Sequence, residues 1–468
     1  MNTIPNNGVL RYLGVLNLER VVVTTPKALA EVLTTKCYDF EKPQELRFSL
    51  GRILGIGILF AEGDEHNAQR RKLMPAFSFR HVKDLYPVFW SKSRESVHAM
   101  TEAVQRGSDD PEKDPSVIEV GSWASRATLD IIGVAGLGRD FGAIEDPTNE
   151  LSQTYQSLFK PNRQGQMLGL MSLFLPGWFV DKLPVKRNQD VHNAVRFVRA
   201  TCAKLIREKK EKLDRKEETG LDILSVALES GAFTEENMVD QMMTFLLAGH
   251  ETTAAAMTWA TYLLAKHPDV QSRLRKEIRG KLPPIGGRGE DCPTVTSLDV
   301  DHLPYLTAVC NEVMRYFAPV PMLSRDAARD TSIQGQFIPK GTRVIIAPWA
   351  INRSTDMWGP DAMTFNPDRW MATGGAGAEN GDDVRVTASG GAVSNYAYMT
   401  FLHGPRSCIG REFAKAEFAC LLASWVGRFS MELHNKEEAD EGKVEIKGAI
   451  TARPAKGMWI KMDVVEGW

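Results

Sequence analysis

The sequence lacks the long apolar runs and the paired cysteines that would direct it to a membrane or to a disulfide scaffold. Its 468 residues contain no apolar stretch of the roughly 18 residues that a transmembrane helix needs, and residues 1–14 do not resemble a signal peptide. The cysteines have no CxxC spacing, which favours a reducing compartment and the burial of most of them as small hydrophobic residues. They are Cys37, Cys202, Cys292, Cys310, Cys408 and Cys420.

The sequence also has little net charge and no dinucleotide fingerprint. A formal net charge of −2 gives no general attraction to nucleic acid or to anionic membranes, so we expect no nucleic-acid partner. The Gly55-Ile56-Gly57 stretch lacks the GxGxxG spacing of a phosphate-binding loop, and no flavin or nicotinamide motif occurs. Hydrophobic content of 43% and charged content of 25% are typical of a globular protein with a large core.

The hydrophobic pattern is mostly helical, with a few short β-like runs. Two such runs, VLRYLGVL and ERVVVTT, precede a helix that begins near Pro26, and we interpret residues 45–60 as a glycine-rich apolar loop. A long helix is predicted from an N-cap at Thr234 to Lys266, about 48 Å in length and apolar on nearly all sides. The Gly/Ala/Ser-rich residues 373–394 predict a flexible surface loop.

The middle of the long helix carries the sequence AGHETT, from Ala248 to Thr253. Glu251 and Thr252 are predicted to be buried there, where a polar pair is costly unless it has partners or a function. Ala248 and Gly249 leave room for a flat cofactor against the helix. The pair therefore indicates either a functional element or a threonine that only forms a hydrogen bond to the backbone of its own helix.

A second element is the stretch FLHGPRSCIG, from Phe401 to Gly410, which is followed by a predicted helix. Its single cysteine, Cys408, lies close to the positive end of that helix and to Arg406, and both favour the thiolate. Gly404 and Gly410 allow close backbone approach to a large flat group. One isolated thiolate is a poor structural zinc site but a good axial ligand for haem iron.

Phe401, Gly404, Arg406, Cys408 and Gly410 resemble the F-x-x-G-x-R-x-C-x-G signature of the cytochrome P450 haem-thiolate monooxygenases. The resemblance extends over nearly the whole chain and is greatest to fungal members. It implies one triangular domain over residues 1–468, mainly α with a small β region, around a buried haem b. These five residues, with Ala248 and Gly249, would contact the haem, and Cys408 would bind its iron.

The resemblance also assigns roles to residues outside the cysteine loop. Glu251 and Thr252 would be the catalytic pair that relays protons to dioxygen. His66 and Arg70, which are four residues apart and share a helix face, would bind one haem propionate. Arg325 would bind the other.

Glu312 and Arg315 are three residues apart on the predicted helix PYLTAVCNEVMRYF, and Arg369 lies in FNPDRW. An exposed pair of this kind contributes well under about 1 kcal/mol to stability. The apolar neighbours and the family's E-x-x-R motif instead imply a buried structural triad that locks the cysteine loop in place.

The resemblance implies insertion of one oxygen atom from O2 into a hydrophobic molecule, in secondary-metabolite or lipid biosynthesis. Electrons would come from NADPH through a separate cytochrome reductase, which would dock on a basic face formed by Arg406, Arg411 and Lys415. The pocket is predicted to be lined by residues 45–60, 155–185 and 240–253 and the strand after Pro319. The apolar residues that support a hydrophobic substrate are Leu54, Ile56, Ile58, Leu59, Phe60, Phe245 and Val320.

Three alternatives and the location of the protein stay open at this point. A haem-thiolate isomerase or dehydratase would work without O2 but often loses the acid–alcohol pair; a non-catalytic haem protein would need no proton relay; and scattered cysteines disfavour a zinc or disulfide scaffold. The family's eukaryotic members begin with a membrane anchor, so this sequence suggests a naturally soluble form, a trimmed chain or a late gene start. Residues 167–180 are apolar enough for peripheral contact with a membrane, such as the cytoplasmic side of the endoplasmic reticulum.

Overall fold

Helices form most of the protein and its strands are short, so the fold is mainly α with a small β region, as the sequence predicts. The computed structural model describes residues 4–14, 17–106, 114–159, 163–171, 175, 177–217, 220–231, 233–287, 292–372, 385–448 and 450–468. The helices are α1 Pro26–Ala30, α2 Gln44–Leu54, α3 Gly63–Leu73, α4 Phe79–Asp84, α5 Tyr86–Gln105, α6 Val120–Ile131, α7 Glu150–Phe159, α8 Arg163–Met171, α9 Gly177–Lys182, α10 Lys186–Asp214, α11 Ile223–Glu229, α12 Glu235–Lys266, α13 Pro268–Lys281, α14 Ser297–Asp301, α15 Pro304–Tyr316, α16 Pro348–Ile351, α17 Thr355–Trp358 and α18 Arg411–Arg428. The strands are β1 Val9–Leu13, β2 Glu19–Val23, β3 Phe40–Glu41, β4 Val117–Glu119, β5 Leu323–Ala327, β6 Thr331–Ile333, β7 Gln336–Ile338, β8 Arg343–Ile346, β9 Met371–Ala372, β10 Arg385–Val386, β11 Phe429–Leu433, β12 Ile446–Lys447, β13 Arg453–Pro454 and β14 Trp459–Val464.

The chain divides into two compact units. The first unit comprises Met1–Glu41, Val82–Thr128 and His250–Trp468, and the second comprises Lys42–His81 and Leu129–Gly249. The first unit contains a five-stranded sheet in the order β1-β2-β8-β5-β3, in which only the β2–β8 pair is parallel. A three-stranded antiparallel sheet, β11-β14-β4, lies in the same unit.

Helix α18, which follows the cysteine loop, is packed against α5 in the first unit. The rings of Phe413 and Phe89 meet edge to face, with centroids 4.9 Å apart. The Trp425 indole, which is fully buried, donates a hydrogen bond of 3.0 Å to the Ser96 hydroxyl. Because both ends of α18 are held in this way, the start of the helix has a fixed position beside Cys408.

Helix α12 confirms the long helix predicted from the sequence. It spans 32 residues, and the Thr234 hydroxyl accepts a hydrogen bond of 3.2 Å from the backbone N–H of Asn237, as expected of an N-cap. The helix ends at Lys266, before Pro268 begins the next one. In the first unit its Trp259 ring stacks on Phe317, with centroids 4.0 Å apart.

One prediction about a loop was wrong. Residues 45–60 are not a loop throughout, because α2 continues to Leu54 and ends where Gly55 takes a φ of 77°. Of the predicted flexible loop 373–394, residues 373–384 lie outside the described residues, and the described part includes β10, which pairs with β9. Within the described ranges, no helix combines the length and the hydropathy that crossing a bilayer requires.

Candidate active site

The loop that carries Cys408 is a tight turn closed by backbone hydrogen bonds. The N–H of Cys408 donates to the Phe401 carbonyl at 2.9 Å, and the N–H of Ser407 donates to the Gly404 carbonyl at 3.1 Å. Gly404 has a φ of 76°, and a Cβ there would lie 2.1 Å from the Leu33 carbonyl oxygen. Glycine is therefore required at 404 both for its conformation and for the close approach of another backbone segment.

The other positions of the F-x-x-G-x-R-x-C-x-G pattern in the loop have different local roles. The Arg406 guanidinium is buried and donates to the Phe40 carbonyl at 2.8 Å, which ties the loop to β3. Gly410 has a φ of −88°, open to any residue, and its carbonyl accepts from the N–H of Ala414 at 2.8 Å at the start of α18. Cys408 itself is exposed, whereas four of the other cysteines are buried. The loop thus presents a thiol at the N-terminus of α18.

Glu312 of α15 accepts hydrogen bonds from a ring of donors in the interior of the first unit. Arg315 donates to both carboxylate oxygens at 2.8 Å, and Arg369 donates at 3.1 Å. The Asn366 N–H at 2.8 Å and the Trp370 indole at 3.0 Å complete the ring. Both Glu312 and Arg315 are fully buried. The predicted triad is therefore assembled, with Trp370 and Asn366 as members that the sequence did not reveal.

The triad is connected to the cysteine loop through Asn352. The Arg315 guanidinium donates to the Asn352 carbonyl at 2.7 Å, and the Asn352 amide donates to the Arg315 carbonyl at 3.1 Å. The same side chain donates to the Thr400 hydroxyl at 2.9 Å and accepts from the Met399 N–H at 2.7 Å. Since Met399 and Thr400 directly precede Phe401, α15 fixes the entry of the chain into the loop.

Arg325 of β5 is a buried guanidinium without an acidic partner among the described residues. Its guanidinium donates a hydrogen bond to the neighbouring Ser324 carbonyl at 3.0 Å, and burial lowers the pKa of Arg325 to about 10. A buried cation of this kind is costly unless an anion neutralises it. Together with the exposed thiol of Cys408, this donor set fits haem b, whose iron takes a thiolate and whose propionates take a guanidinium.

The other predicted cofactor residues lie in the second unit. His66 and Arg70 lie four residues apart in α3, and His66 is buried. In α12, a Cβ at Gly249 would come within 2.8 Å of the Ile132 side chain, so close helix packing gives one reason for this glycine. The assignments of His66, Arg70, Ala248 and Gly249 to the haem stay predictions.

Glu251 and Thr252 are not fully buried, contrary to the prediction, because both are partly exposed. Both oxygens of Glu251 have partners on the segment around β13. The Arg453 guanidinium donates to them at 2.7 and 2.8 Å, and the Thr451 hydroxyl donates at 3.0 Å. Glu251 is thus a paired carboxylate rather than an isolated acid in the core.

The predicted pocket residues of the second unit are held by polar groups of α12. The Ile56 N–H donates to the Asp240 carboxylate and the Ile58 N–H donates to the Gln241 amide oxygen, both at 2.9 Å. A Cβ at Gly55 would lie 2.0 Å from Asp240, which explains the glycine in the Gly55-Ile56-Gly57 stretch. Four of the predicted apolar lining residues in this unit are buried: Leu54, Ile58, Phe60 and Phe245.

The predicted basic docking face is not assembled as expected. Arg406 is buried against the Phe40 carbonyl, and burial lowers the pKa of Lys415. Only Arg411 is exposed, and it is paired with Glu412 at 2.7 Å. Sequence alone suggested an exposed cationic patch because basic residues cluster around the loop; the fold buries Arg406 and leaves Lys415 only partly exposed.

Sequence reasoning missed the residues that hold the predicted ones in place. Trp370 stands inside the FNPDRW segment that supplied Arg369, so its position beside Glu312 could have been suspected. Arg453 and Thr451 gave no signal, because nothing in a single sequence links them to Glu251, some 200 residues earlier.

Comparison with known proteins agrees with the geometry of the loop and the triad. The family model for cytochrome P450 matches residues 10–459. The chain is 48% identical over 470 residues to cytochrome P450 monooxygenase sphH of Aspergillus fumigatus, covering 100% of this chain and 83% of the relative. It is 43% identical over 507 residues to cytochrome P450 monooxygenase ALT8 of Alternaria alternata, covering 100% and 84%. Cytochrome P450 monooxygenase FUM15 of Gibberella moniliformis is 44% identical over 492 residues, with 99% and 83% covered. The chain therefore belongs to the cytochrome P450 family of monooxygenases.

Proposed function

We propose that this monooxygenase inserts one oxygen atom from O2 into a C–H bond of a hydrophobic small molecule in secondary-metabolite or lipid biosynthesis. The observation that carries the proposal is the loop of residues 401–410, which presents the Cys408 thiol between a glycine-dependent turn and the start of α18. Haem b is the family's cofactor, and when bound it supplies the activation of O2 and the oxidising power. Cys408 would bind its iron and Arg325 one of its propionates.

The protein's own residues would then control protons and water. Thr252 and Glu251 are proposed to hold and pass protons toward the site of O2 reduction, as the acid–alcohol pair does in the family. Their presence favours a monooxygenase over an isomerase or dehydratase that needs no O2. The buried apolar residues around Ile58 and Phe245 support a hydrophobic substrate, because such side chains bind apolar surface and exclude water.

The test is turnover with purified NADPH–cytochrome reductase, NADPH and a panel of lipids, terpenoids, polyketides and alkaloids under isotopically labelled O2. We expect a product that carries one labelled oxygen atom and does not form without O2 or NADPH. A product that forms equally well without O2 would instead identify an isomerase or dehydratase. A Cys408→Ser protein serves as the control for the thiolate.

A separate reductase is proposed as the electron source, because the sequence contains no flavin or nicotinamide motif. Arg411 is the exposed member of the predicted basic face. An Arg411→Glu protein should therefore need more reductase for half-maximal NADPH consumption, and this difference should shrink as salt is added. An unchanged reductase requirement would place the docking site elsewhere.

We also propose peripheral membrane contact through residues 167–180, on the cytoplasmic side of the endoplasmic reticulum. Met167, Leu170, Leu175 and Phe179 are exposed, which supports insertion of apolar side chains into a lipid interface. Flotation with phosphatidylcholine vesicles tests this. A protein with Leu170→Ser and Phe179→Ser should float less than the unchanged protein, and equal flotation would contradict the proposal.

A further inference from the structure

The carboxylate of Glu251 is held by residues 451–453, near the end of the chain. The family resemblance gives this segment no catalytic role. Arg453 donates to both of its oxygens at 2.7 and 2.8 Å, and Thr451 donates at 3.0 Å. Charge-assisted hydrogen bonds of this length are strong and restrict the orientation of the carboxylate. Two groups on one segment therefore determine where the oxygens of Glu251 lie.

This segment is itself fixed against the long helix. Between Thr451 and Arg453, the Ala452 carbonyl accepts from the Trp259 indole at 2.8 Å, and the Ala452 N–H donates to the Pro319 carbonyl at 2.8 Å. Ala452 and Trp259 are buried. Because Trp259 and Glu251 belong to the same helix, the segment is attached to α12 at two points, and Arg453 has a defined position relative to Glu251.

The pair also has one side in solvent. The Arg453 side chain is 49% exposed, whereas that of Glu251 is 15% exposed. A structural ion pair at the surface would contribute little to stability. The pair of half-exposed Arg453 with Glu251, which is next to Thr252, is therefore better explained by the orientation of the Glu251 carboxylate than by a contribution to stability.

We propose that Arg453 is a positioning residue for proton delivery. It holds the Glu251 carboxylate at the solvent side of α12, where Glu251 can pass protons to Thr252. Thr451 assists by fixing the second oxygen. The proposal rests on the proposed proton role of Glu251 and Thr252. Arg453 acts through Glu251 and is not itself expected to contact the substrate.

The first part of the test uses the haem-loaded protein and needs no catalytic activity. Urea unfolding is compared for the unchanged protein, Glu251→Gln, Arg453→Gln and the double variant. If the pair exists, Arg453→Gln lowers the unfolding midpoint slightly in the unchanged protein, as a half-exposed ion pair should, but not in the Glu251→Gln protein. Equal shifts in both backgrounds would show that Arg453 does not act on Glu251, and would overturn the proposal.

The second part measures the share of NADPH electrons that the haem-loaded protein and purified reductase release as hydrogen peroxide rather than water, without added substrate. Arg453→Gln should raise the peroxide share, because it slows water formation by roughly tenfold, which is less than the loss of a proton donor itself would do. Arg453→Lys should restore part of the lost water formation. The matched control is Lys456→Gln, since exposed Lys456 lies beyond the same strand but pairs with Glu445 at 3.6 Å. It should change neither measurement.

The outcomes separate the two proposals. If Glu251→Gln leaves the peroxide share unchanged, the proton role of Glu251 fails and the positioning role of Arg453 falls with it. If Glu251→Gln raises the share but both Arg453 variants match the unchanged protein, only the positioning role fails. Should Arg453→Gln fold poorly, Arg453→Lys still decides, because it keeps the charge while altering the geometry.

Discussion

Glu312→Gln should destabilise the protein far more than an ordinary substitution of the same kind. The variant keeps the shape of the side chain but removes the charge that faces Arg315, and both residues are fully buried. Wherever the new amide nitrogen is placed, it meets N–H donors: Arg315 and Trp370 at one oxygen position, or Arg315, Arg369 and the Asn366 N–H at the other. Donors would then face donors.

The size of the effect follows from these contacts. Removing one partner of a buried ion pair costs about 3–5 kcal/mol. Here the carbonyls of Asn352, Ala362 and Thr364 still accept from the Arg315 guanidinium, which favours the lower end of that range. One N–H donor left without its acceptor, either the Trp370 indole or the Asn366 N–H, adds about 1 kcal/mol. A loss of about 4 kcal/mol is a large fraction of the roughly 5–15 kcal/mol that stabilises a typical domain.

Urea unfolding of the apoprotein, followed by circular dichroism and tryptophan fluorescence, measures this loss, and haem uptake provides a second readout. The matched control is Glu277→Gln, because Glu277 accepts from the N–H groups of Tyr305 and Leu306 at the start of the same helix but forms no ion pair within the part of the chain that the structure describes. It should cost about 1 kcal/mol. If Glu312→Gln lost no more stability than this control, the reasoning from a buried charge would be refuted.

Other predictions concern the loop, the helix and one buried acid. Cys408→Ser should abolish the reduced carbon-monoxide absorbance band for which the family is named, and Gly404→Ala should lower haem uptake because its Cβ would strike the Leu33 carbonyl. Thr252→Ala should retain haem but divert NADPH electrons into hydrogen peroxide, which a peroxide assay measures. Desolvation raises the pKa of the Glu417 carboxyl well above its usual range. The folded state therefore holds a proton that the unfolded chain releases, so stability should fall as pH rises above the usual glutamic-acid range, and Glu417→Gln should remove this fall in urea unfolding.

Local patterns in the sequence predicted the helices well where caps and apolar periodicity agree. Helix α12 begins after Thr234 and ends at Lys266 as expected, and α15, Pro304–Tyr316, covers all but the last residue of the predicted helix 304–317. The error at residues 45–60 arose because the glycine content of this segment was interpreted as a sign of a loop. Gly51 lies inside α2, and only Gly55, with its positive φ, ends the helix. A single glycine does not prevent a helix when tertiary packing supports it.

Long-range partners could not be predicted in the same way. The spacing of Glu312 and Arg315 placed them on one helix face. Only the fold shows that the Asn352 side chain connects Arg315 to Met399 through two hydrogen bonds. The basic cluster near the cysteine loop illustrates the opposite error. Charge alone predicts exposure, whereas Arg406 is buried because the Phe40 carbonyl and the ring of Tyr38, 5.0 Å away, accept its guanidinium.

The geometry of the cysteine loop depends on groups outside residues 401–410. Arg315 is fixed by Glu312, Asn352 is fixed by Arg315, and the Asn352 side chain fixes Met399 just before the loop begins. At the far end, the contacts between α18 and α5 hold the helix that follows Cys408. A loop restrained at both ends loses little conformational entropy when a ligand binds to it. Substitutions in the triad should therefore weaken haem binding even when the protein still folds, because they release one end of the loop while leaving Cys408 in the sequence.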